Sequence, residues 1–308
     1  MNLYISNSQC NLHDNGLDHP ELSERTNRIQ DQLIGGLLFD WFAHAESRAA
    51  TDAELALAHD PELVKRIATS LPKEGVVEIN VDTHLSAGSL NAARHAVGAV
   101  LDGVDAVHNG SAQRVFCNVR PPGHHAEYDE PQGFCLFNNV AVGAAYAFEK
   151  YGYERVAIVD FDVHHGNGTE SFACREPRVW FASSFEDNIY PNSEPVSDIA
   201  NMVKMPLDKY SGSEQFRQAW SESGLPALAA FKPQLILISA GFDGHALDPM
   251  ANLRLHEKDY AWITTELVKI ADESADGKIV SVLEGGYDLG ALSMSAREHI
   301  KILFGLDF

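Results

Sequence analysis

The stretch Val156-Ala-Ile-Val-Asp160-Phe-Asp162-Val-His164-His165-Gly-Asn167-Gly168 decides how this chain is read. Its first four residues are apolar and mostly β-branched. They read as a strand covered on both faces. The run then changes into alternating acids and imidazoles and stops on glycines. Residues two apart in an extended chain share a face, so Asp160, Asp162 and His164 can point one way. Polar residues at a strand's carboxyl end sit where open α/β sheets bind their ligands.

The same pattern recurs outward from this point. The apolar run 115–119 precedes Arg120-Pro-Pro-Gly-His124-His125, and 235–239 precedes Ala240-Gly-Phe-Asp243-Gly-His245. The run 279–283 precedes Glu284-Gly-Gly-Tyr287, and a fifth run covers 179–182. Between them, residues 89–107, 139–150, 213–231 and 257–272 have helical character. Alternating strands and helices predict an α/β fold, a single mainly parallel sheet flanked by helices on both faces. No internal repeat and no linker rich in Pro, Gly or Ser divides the chain, so one domain over residues 1–308 is expected.

Composition narrows the function. Hydrophobic residues make up 45% and charged residues 22%, which excludes a low-complexity or collagen-like chain. The formal net charge is −21, from 23 Lys plus Arg against 44 Asp plus Glu. That balance argues against nucleic-acid binding, which rests on basic residues. It suits solubility and the attraction of cationic small molecules or basic peptide tails. Four widely spaced cysteines form no Cys-x-x-Cys pair, so neither a thiolate zinc site nor a disulfide framework is expected. The first fifteen residues lack the features of a signal peptide. No run of about 18 apolar residues suggests a membrane span. A cytoplasmic location follows as the expectation.

Asp162, His164 and Asp243 together offer two carboxylates and one imidazole. That set leaves a position open on a divalent ion, as catalytic zinc sites do, and it also suits Fe(II), Co(II) or Mn(II). The plainer alternative is capping aspartates and packed histidines in strand-to-helix loops. Neighbouring histidines diverge and rarely share one metal. His124 and His125 read instead as a general base and acid beside a bound water, with Asp160 and Asn167 as orienting partners. Gly285 and Gly286 let the backbone turn and project Tyr287, whose phenol can face a developing oxyanion. Gly133-Phe134 and Tyr190 fit the walls of a narrow apolar tunnel or ordinary core packing. Asn167-Gly-Thr169 matches a glycosylation acceptor without a secretory signal to support it. Gly166-Asn-Gly168 lacks the rest of a phosphate loop.

Taken in order, these strings resemble the histone deacetylase family, in its class II-like and bacterial form. The matching segments are Arg120-Pro-Pro-Gly-His-His-Ala126, Gly133-Phe-Cys-Leu-Phe-Asn-Asn139, Val159-Asp-Phe-Asp-Val-His-His-Gly-Asn-Gly168, Ser239-Ala-Gly-Phe-Asp243 with Asp248-Pro249, and Glu284-Gly-Gly-Tyr287. His19-Pro-Glu21 with Arg28-Ile29 also looks like the family. The resemblance implies the arginase–deacetylase fold and zinc-assisted hydrolysis of an acetylated lysine or related amine. It makes Asp162, His164 and Asp243 the zinc ligands, His125 the general base and acid, and His124 its electrostatic partner. Asp160 and Asn167 become the partners of the two histidines; Asn167 matches class II-like members, where class I carries Asp. Tyr287 would polarise the amide carbonyl. Gly133, Phe134, Tyr190 and Met250 would line the substrate tunnel, and Arg28 an internal acetate cavity. A potassium ion would sit near Asp160, Asp162, His164 and Ser183. A homo-oligomer is a further implication.

The chain departs from the family in two places. Ser183-Ser-Phe185 lacks the usual histidine, and Pro191-Asn-Ser-Glu194 replaces Pro-Gly-x-Gly. Met250 stands where acetylpolyamine-specialised members tend to carry an acid, which favours acetyl-lysine. The alternatives are an acetylpolyamine or other small-amide deacetylase and, more remotely, a non-catalytic binding protein of the same fold. The complete catalytic set argues against the last.

Overall fold

The computed structural model describes residues 1–192 and 201–306. Ten strands are formed among the described residues: β1 (Asn2–Ser6), β2 (Ala43–Glu46), β3 (Val76–Asn80), β4 (Thr83–Ser86), β5 (Arg114–Asn118), β6 (Val156–Asp160), β7 (Val179–Glu186), β8 (Met202–Leu207), β9 (Leu235–Ala240) and β10 (Ile279–Leu283). Eight of them make one sheet in the order β2-β1-β5-β10-β9-β6-β7-β8, and every neighbouring pair is parallel. β3 and β4 form a separate antiparallel hairpin.

All five apolar runs read from sequence are strands; 279–283 matches β10 at both ends, and the other four have ends shifted by a residue or more. β7 is the largest extension, running on to Glu186. Four of the five, β5, β10, β9 and β6, are consecutive in the centre of the sheet. That order is what brings their polar ends to one rim. A parallel sheet places all carboxyl ends on the same edge, and central strands place them side by side.

The helices are α1 (Glu24–Gly35), α2 (Asp52–Leu55), α3 (Pro61–Ser70), α4 (Ser89–His108), α5 (Asn139–Tyr151), α6 (Asn167–Arg175), α7 (Ser213–Ala219), α8 (Leu225–Phe231), α9 (Glu257–Ser274) and α10 (Leu289–Leu303). They pack in two layers. α4 and α5 bury Val97, Val100, Leu101, Val104, Val140 and Ala144 against one face of the sheet. α1, α9 and α10 bury Ile29, Leu33, Ile263, Leu267, Leu292 and Ala296 on the other. The near-continuous apolar character of α4 and α5 follows from contact on most sides. No helix among the described residues is long and apolar enough to cross a membrane.

The expected helix over 213–231 is interrupted. α7 passes through a π-helical turn at Trp220–Gly224 before α8 begins. Pro226 has no N–H to give the carbonyl four residues back, which disfavours the regular ladder at this point.

A buried ionic cluster anchors the N-terminal segment beneath the rim. Arg120 donates to both carboxylate oxygens of Glu21, at 2.8 and 2.5 Å, and to the carbonyls of Cys10 and His13. Arg25 donates to Glu21 at 3.1 Å. All three side chains are buried. Burial alone would raise the Glu21 carboxyl, but Arg120 and then Arg25 pull it from 4.5 to about 2. A depressed carboxyl stabilises the fold fully above its unfolded pKa and loses that contribution as pH falls through the folded one. Glu21 is therefore expected to contribute about 3 kcal/mol that disappears between pH 5 and pH 2. Urea unfolding of Glu21→Gln should show a correspondingly shallower acid slope. At pH 7 the same variant should be about 3–5 kcal/mol less stable, because two buried guanidinium groups lose their anion. Equal acid slopes for the two proteins would refute the assignment.

Candidate active site

The loops after β6, β9 and β10 converge on one buried cluster. His164 Nδ1 lies 3.1 Å from Asp162 Oδ1 and 3.1 Å from Asp243 Oδ2. The ligating atoms of the three residues all lie within 4.8 Å of one another. Backbone groups hold the carboxylates in place. Gly285 N donates to Asp162 Oδ2 at 2.8 Å, and Val163 N to Asp243 Oδ1 at 2.9 Å. Gly285 has to lack a side chain, since a Cβ there would stand 2.1 Å from Asp243 Oδ2.

Electrostatics say what this cluster accepts. Burial would raise Asp162, but His124 and His164 hold it well below the usual carboxylate range. Burial and then the Asp162 charge push Asp243 up to about 7. Burial opposes a charge on His164, yet its bonds to the two carboxylates raise it to about 10. Two buried carboxylates thus compete for a cation. A divalent ion bound by oxygen and nitrogen donors fits them, and the donor set leaves room for further ligands.

The histidine pair comes from the loop after β5. Glu284, at the end of β10, pins that loop by accepting from Gly123 N at 2.6 Å and His124 N at 3.1 Å. The two rings lie against each other at a 43° tilt with centroids 3.9 Å apart. His124 Nδ1 donates to Asp160 Oδ2 at 2.9 Å, and its Nε2 is 3.8 Å from Asp162 Oδ1. Burial disfavours its charge, but Asp160 and Asp162 raise it to about 10. His125 is pushed the other way. Burial first, then the charges of His124 and His164, hold it well below 6.5. Its Nδ1 sits 2.8 Å from Asn167 Oδ1. Neighbouring groups whose environments drive their pKa values apart make an acid–base pair.

Aromatic rings wall the approach. Tyr190 stands perpendicular to His125 with centroids 4.9 Å apart. Phe134 meets Tyr287 edge-on at 6.0 Å and His19 at 4.6 Å. Gly133 and Phe134 both adopt positive φ, 57° and 67°. At Gly133 a Cβ would collide with the His125 ring. Asp82, at the turn between β3 and β4, accepts from Gly133 N at 2.9 Å and so ties the hairpin to this wall. Asp248 holds the opposite side, accepting from Tyr287 N at 2.6 Å and Met250 N at 3.0 Å. Met250 is half-buried there. Burial keeps the Tyr287 phenol far above its ordinary value, though Arg25 opposes the rise.

Arg28 is a correction. α1 turns Arg25, Ile29 and Leu33 inward, and Arg28 falls on the exposed side. It lines no internal cavity. The interior arginine is Arg25, which donates to the carbonyls of Glu284 and Gly286 and lies 4.9 Å over the Tyr287 ring. Glu284, Asp82 and Asp248 are site residues that sequence reasoning assigned no role; Glu284 and Asp248 lie in the matching segments Glu284-Gly-Gly-Tyr287 and Asp248-Pro249, and Asp82 is a lone acid without pattern. Ser183 pairs in register with Asp160, and its hydroxyl lies 3.1 Å from His165 Nδ1. Phe185, where the family usually has histidine, packs on His165 at 4.6 Å. Of the Pro191-Asn-Ser-Glu194 departure, Ser193 and Glu194 lie outside the described residues.

Comparison with known proteins places the chain in a family. The family model described as "Histone deacetylase domain" matches residues 19–303. A "Histone deacetylase-like amidohydrolase" of Pseudomonas aeruginosa is 34% identical, covering 94% of this chain and 77% of that protein. "Type-2 histone deacetylase 2" of Dictyostelium discoideum is 38% identical over 80% of this chain, which spans only 17% of that protein's length. The crystal structure of the HDA15 HD domain superposes with a TM-score of 0.90 at 31% identity, covering 99% of this chain and 88% of that one. A domain match over residues 19–303, with fold and sequence agreeing across nearly the whole chain, makes this chain a member of the histone deacetylase family.

Proposed function

We propose that this chain is a zinc-dependent deacetylase that hydrolyses the amide of an acetylated lysine side chain. The observation carrying the reading is the histidine pair, driven apart in pKa, beside the buried Asp162, His164 and Asp243 cluster. Zinc held by those three residues supplies Lewis acidity and makes a water more acidic. His125 takes a proton from the attacking water and returns it to the departing amine, so acetate and a free amine result. His124 stays cationic and stabilises the negative charge that develops. The Tyr287 phenol donates to the carbonyl oxygen as it becomes an oxyanion. Tyr287→Phe is expected to lower kcat about 10²–10³-fold with little change in KM. Unchanged turnover would remove Tyr287 from the mechanism.

Phe134 and Tyr190, whose rings stand against Tyr287 and His125, would line the path of an extended acyl-lysine. Met250 offers no charge to a second amine, which supports acetyl-lysine over acetylpolyamine. The acidic surface supports a basic peptide as the carrier. Residues 1–308 act as one catalytic domain, supported by the single eight-stranded sheet. Four free cysteines, three of them buried, suit a reducing cytoplasm. Potassium near Asp160, Asp162, His164 and Ser183, and assembly with further copies, complete the reading. The test is acetate release by the zinc-loaded protein from acetyl-lysine peptides and from N-acetylated polyamines, with His125→Ala as the blank. Faster peptide turnover supports the proposal. Faster polyamine turnover replaces the substrate. No release from either, with zinc bound, overturns it.

A further inference from the structure

Asn167 stands between two groups that make opposite demands on it. Its Oδ1 lies 2.8 Å from His125 Nδ1, and its Nδ2 donates to Glu127 Oε1 at 2.9 Å. An amide turned by 180° exchanges its oxygen for its NH2, and either imidazole nitrogen can carry the proton. The His125 ring and the Asn167 amide alone therefore have two self-consistent arrangements, separated only by a long contact of 3.5 Å from Asn167 Nδ2 to the His125 carbonyl. In one, His125 Nδ1–H donates to the amide oxygen. In the other, the amide NH2 donates to a bare Nδ1, and the proton sits on Nε2.

Glu127 breaks that symmetry. An ionised carboxylate only accepts. It calls for the NH2 on its own side and leaves only the oxygen for His125. Nδ1 must then carry the proton, and Nε2 keeps its lone pair. The Glu127 backbone is fixed on both sides: its N–H donates to Glu130 O at 2.9 Å, and His59 Nδ1 donates to its carbonyl at 2.9 Å. His59 is itself tied by Asn138 N, which donates to His59 Nε2 at 2.8 Å. The carboxylate is thus delivered by a loop with little freedom to withdraw it.

We propose that Glu127 is a positioning residue that sets the tautomer of His125 through the amide of Asn167. The inference rests on the reading of His125 as the base, which needs Nε2 unprotonated. It also gives a reason for an amide at position 167. A carboxylate there would face Glu127 as a like charge, and one of the two would have to take a proton or swing away.

The test exploits a reversal of sign. Glu127→Gln keeps the size of the side chain but can either donate or accept, so it removes the stronger directional demand and leaves only the 3.5 Å contact to the His125 carbonyl. It should lower kcat about 10-fold with KM unchanged, within the range usual for groups that orient a catalytic residue. Asn167→Asp should cost about 10–100-fold. In the Asn167→Asp background, Glu127→Gln should help instead, regaining about 10-fold, because the glutamine NH2 can donate to the new carboxylate. A role in packing alone moves no parameter in opposite directions. Two-bond proton–nitrogen NMR spectra of zinc-loaded protein read the tautomer directly. Wild type and the double variant should show His125 protonated at Nδ1, and Glu127→Gln a mixture. A wild-type His125 spectrum and kcat in Glu127→Gln overturn the proposal, as does a double variant no better than Asn167→Asp. Full activity in His125→Ala would instead defeat the base assignment, and the spectra would still report on Glu127.

Discussion

His125→Ala is expected to lower kcat about 10²–10⁴-fold, the usual contribution of a positioned general base. Thermal stability and metal content should stay close to wild type. The effect is large because nothing nearby replaces His125. His124 stacks nearest, at a tilt, but Asp160 and Asp162 keep it charged, so it has no lone pair to offer, and His164 is bonded to Asp162 and Asp243. Tyr287 is held protonated by burial. The same electrostatics shape the pH profile. A base depressed below 6.5 keeps its lone pair through neutrality, so the acid limb of kcat/KM should fall only below that value. Steady-state rates from pH 5 to 9 check both points. A variant retaining more than about a tenth of wild-type kcat would place the base elsewhere, since general bases contribute at least 10²-fold.

Removing the divalent ion is expected to abolish turnover and to destabilise the fold. Asp162, Asp243 and His164 are buried with their donor atoms converging, so on the proposed reading the folded chain can hold a cation that the unfolded chain cannot. Ligand that binds only the folded state stabilises by about 2.7 kcal/mol at a hundred times its Kd. Dialysis against a chelator should therefore lower the melting temperature along with the rate, and zinc, cobalt or iron(II) should restore both. Asp243→Ala should imitate the chelated protein and gain nothing from added metal. Turnover that survives chelation would remove metal from the mechanism. A melting temperature indifferent to metal would mean that the three side chains are not its ligands.

The centre of the sheet and most of the site could be read from the chain alone. A strand covered on both faces must be apolar along its length, and its end must be polar where the core stops. β5, β6, β9 and β10 are such strands, and His124, His125, Asp162, His164, Asp243 and Tyr287 follow their ends directly. β1, β2 and β8 escaped because flanking strands bury less. β2 is mostly exposed, and β8 carries Lys204 and Pro206. Tertiary structure alone decided which arginine lies inside. Arg25 and Arg28 are both on α1, and only the face that meets Tyr287 separates them. It alone decided, too, that Glu284 would pin the histidine loop, Asp82 the backbone of Gly133 and Glu127 the amide of Asn167. The physical reason is range. Strand burial repeats along the sequence and leaves a local pattern. A hydrogen bond between residues 40 or 161 positions apart, such as Asn167 to Glu127 or Gly123 to Glu284, leaves none until the sheet has brought them together.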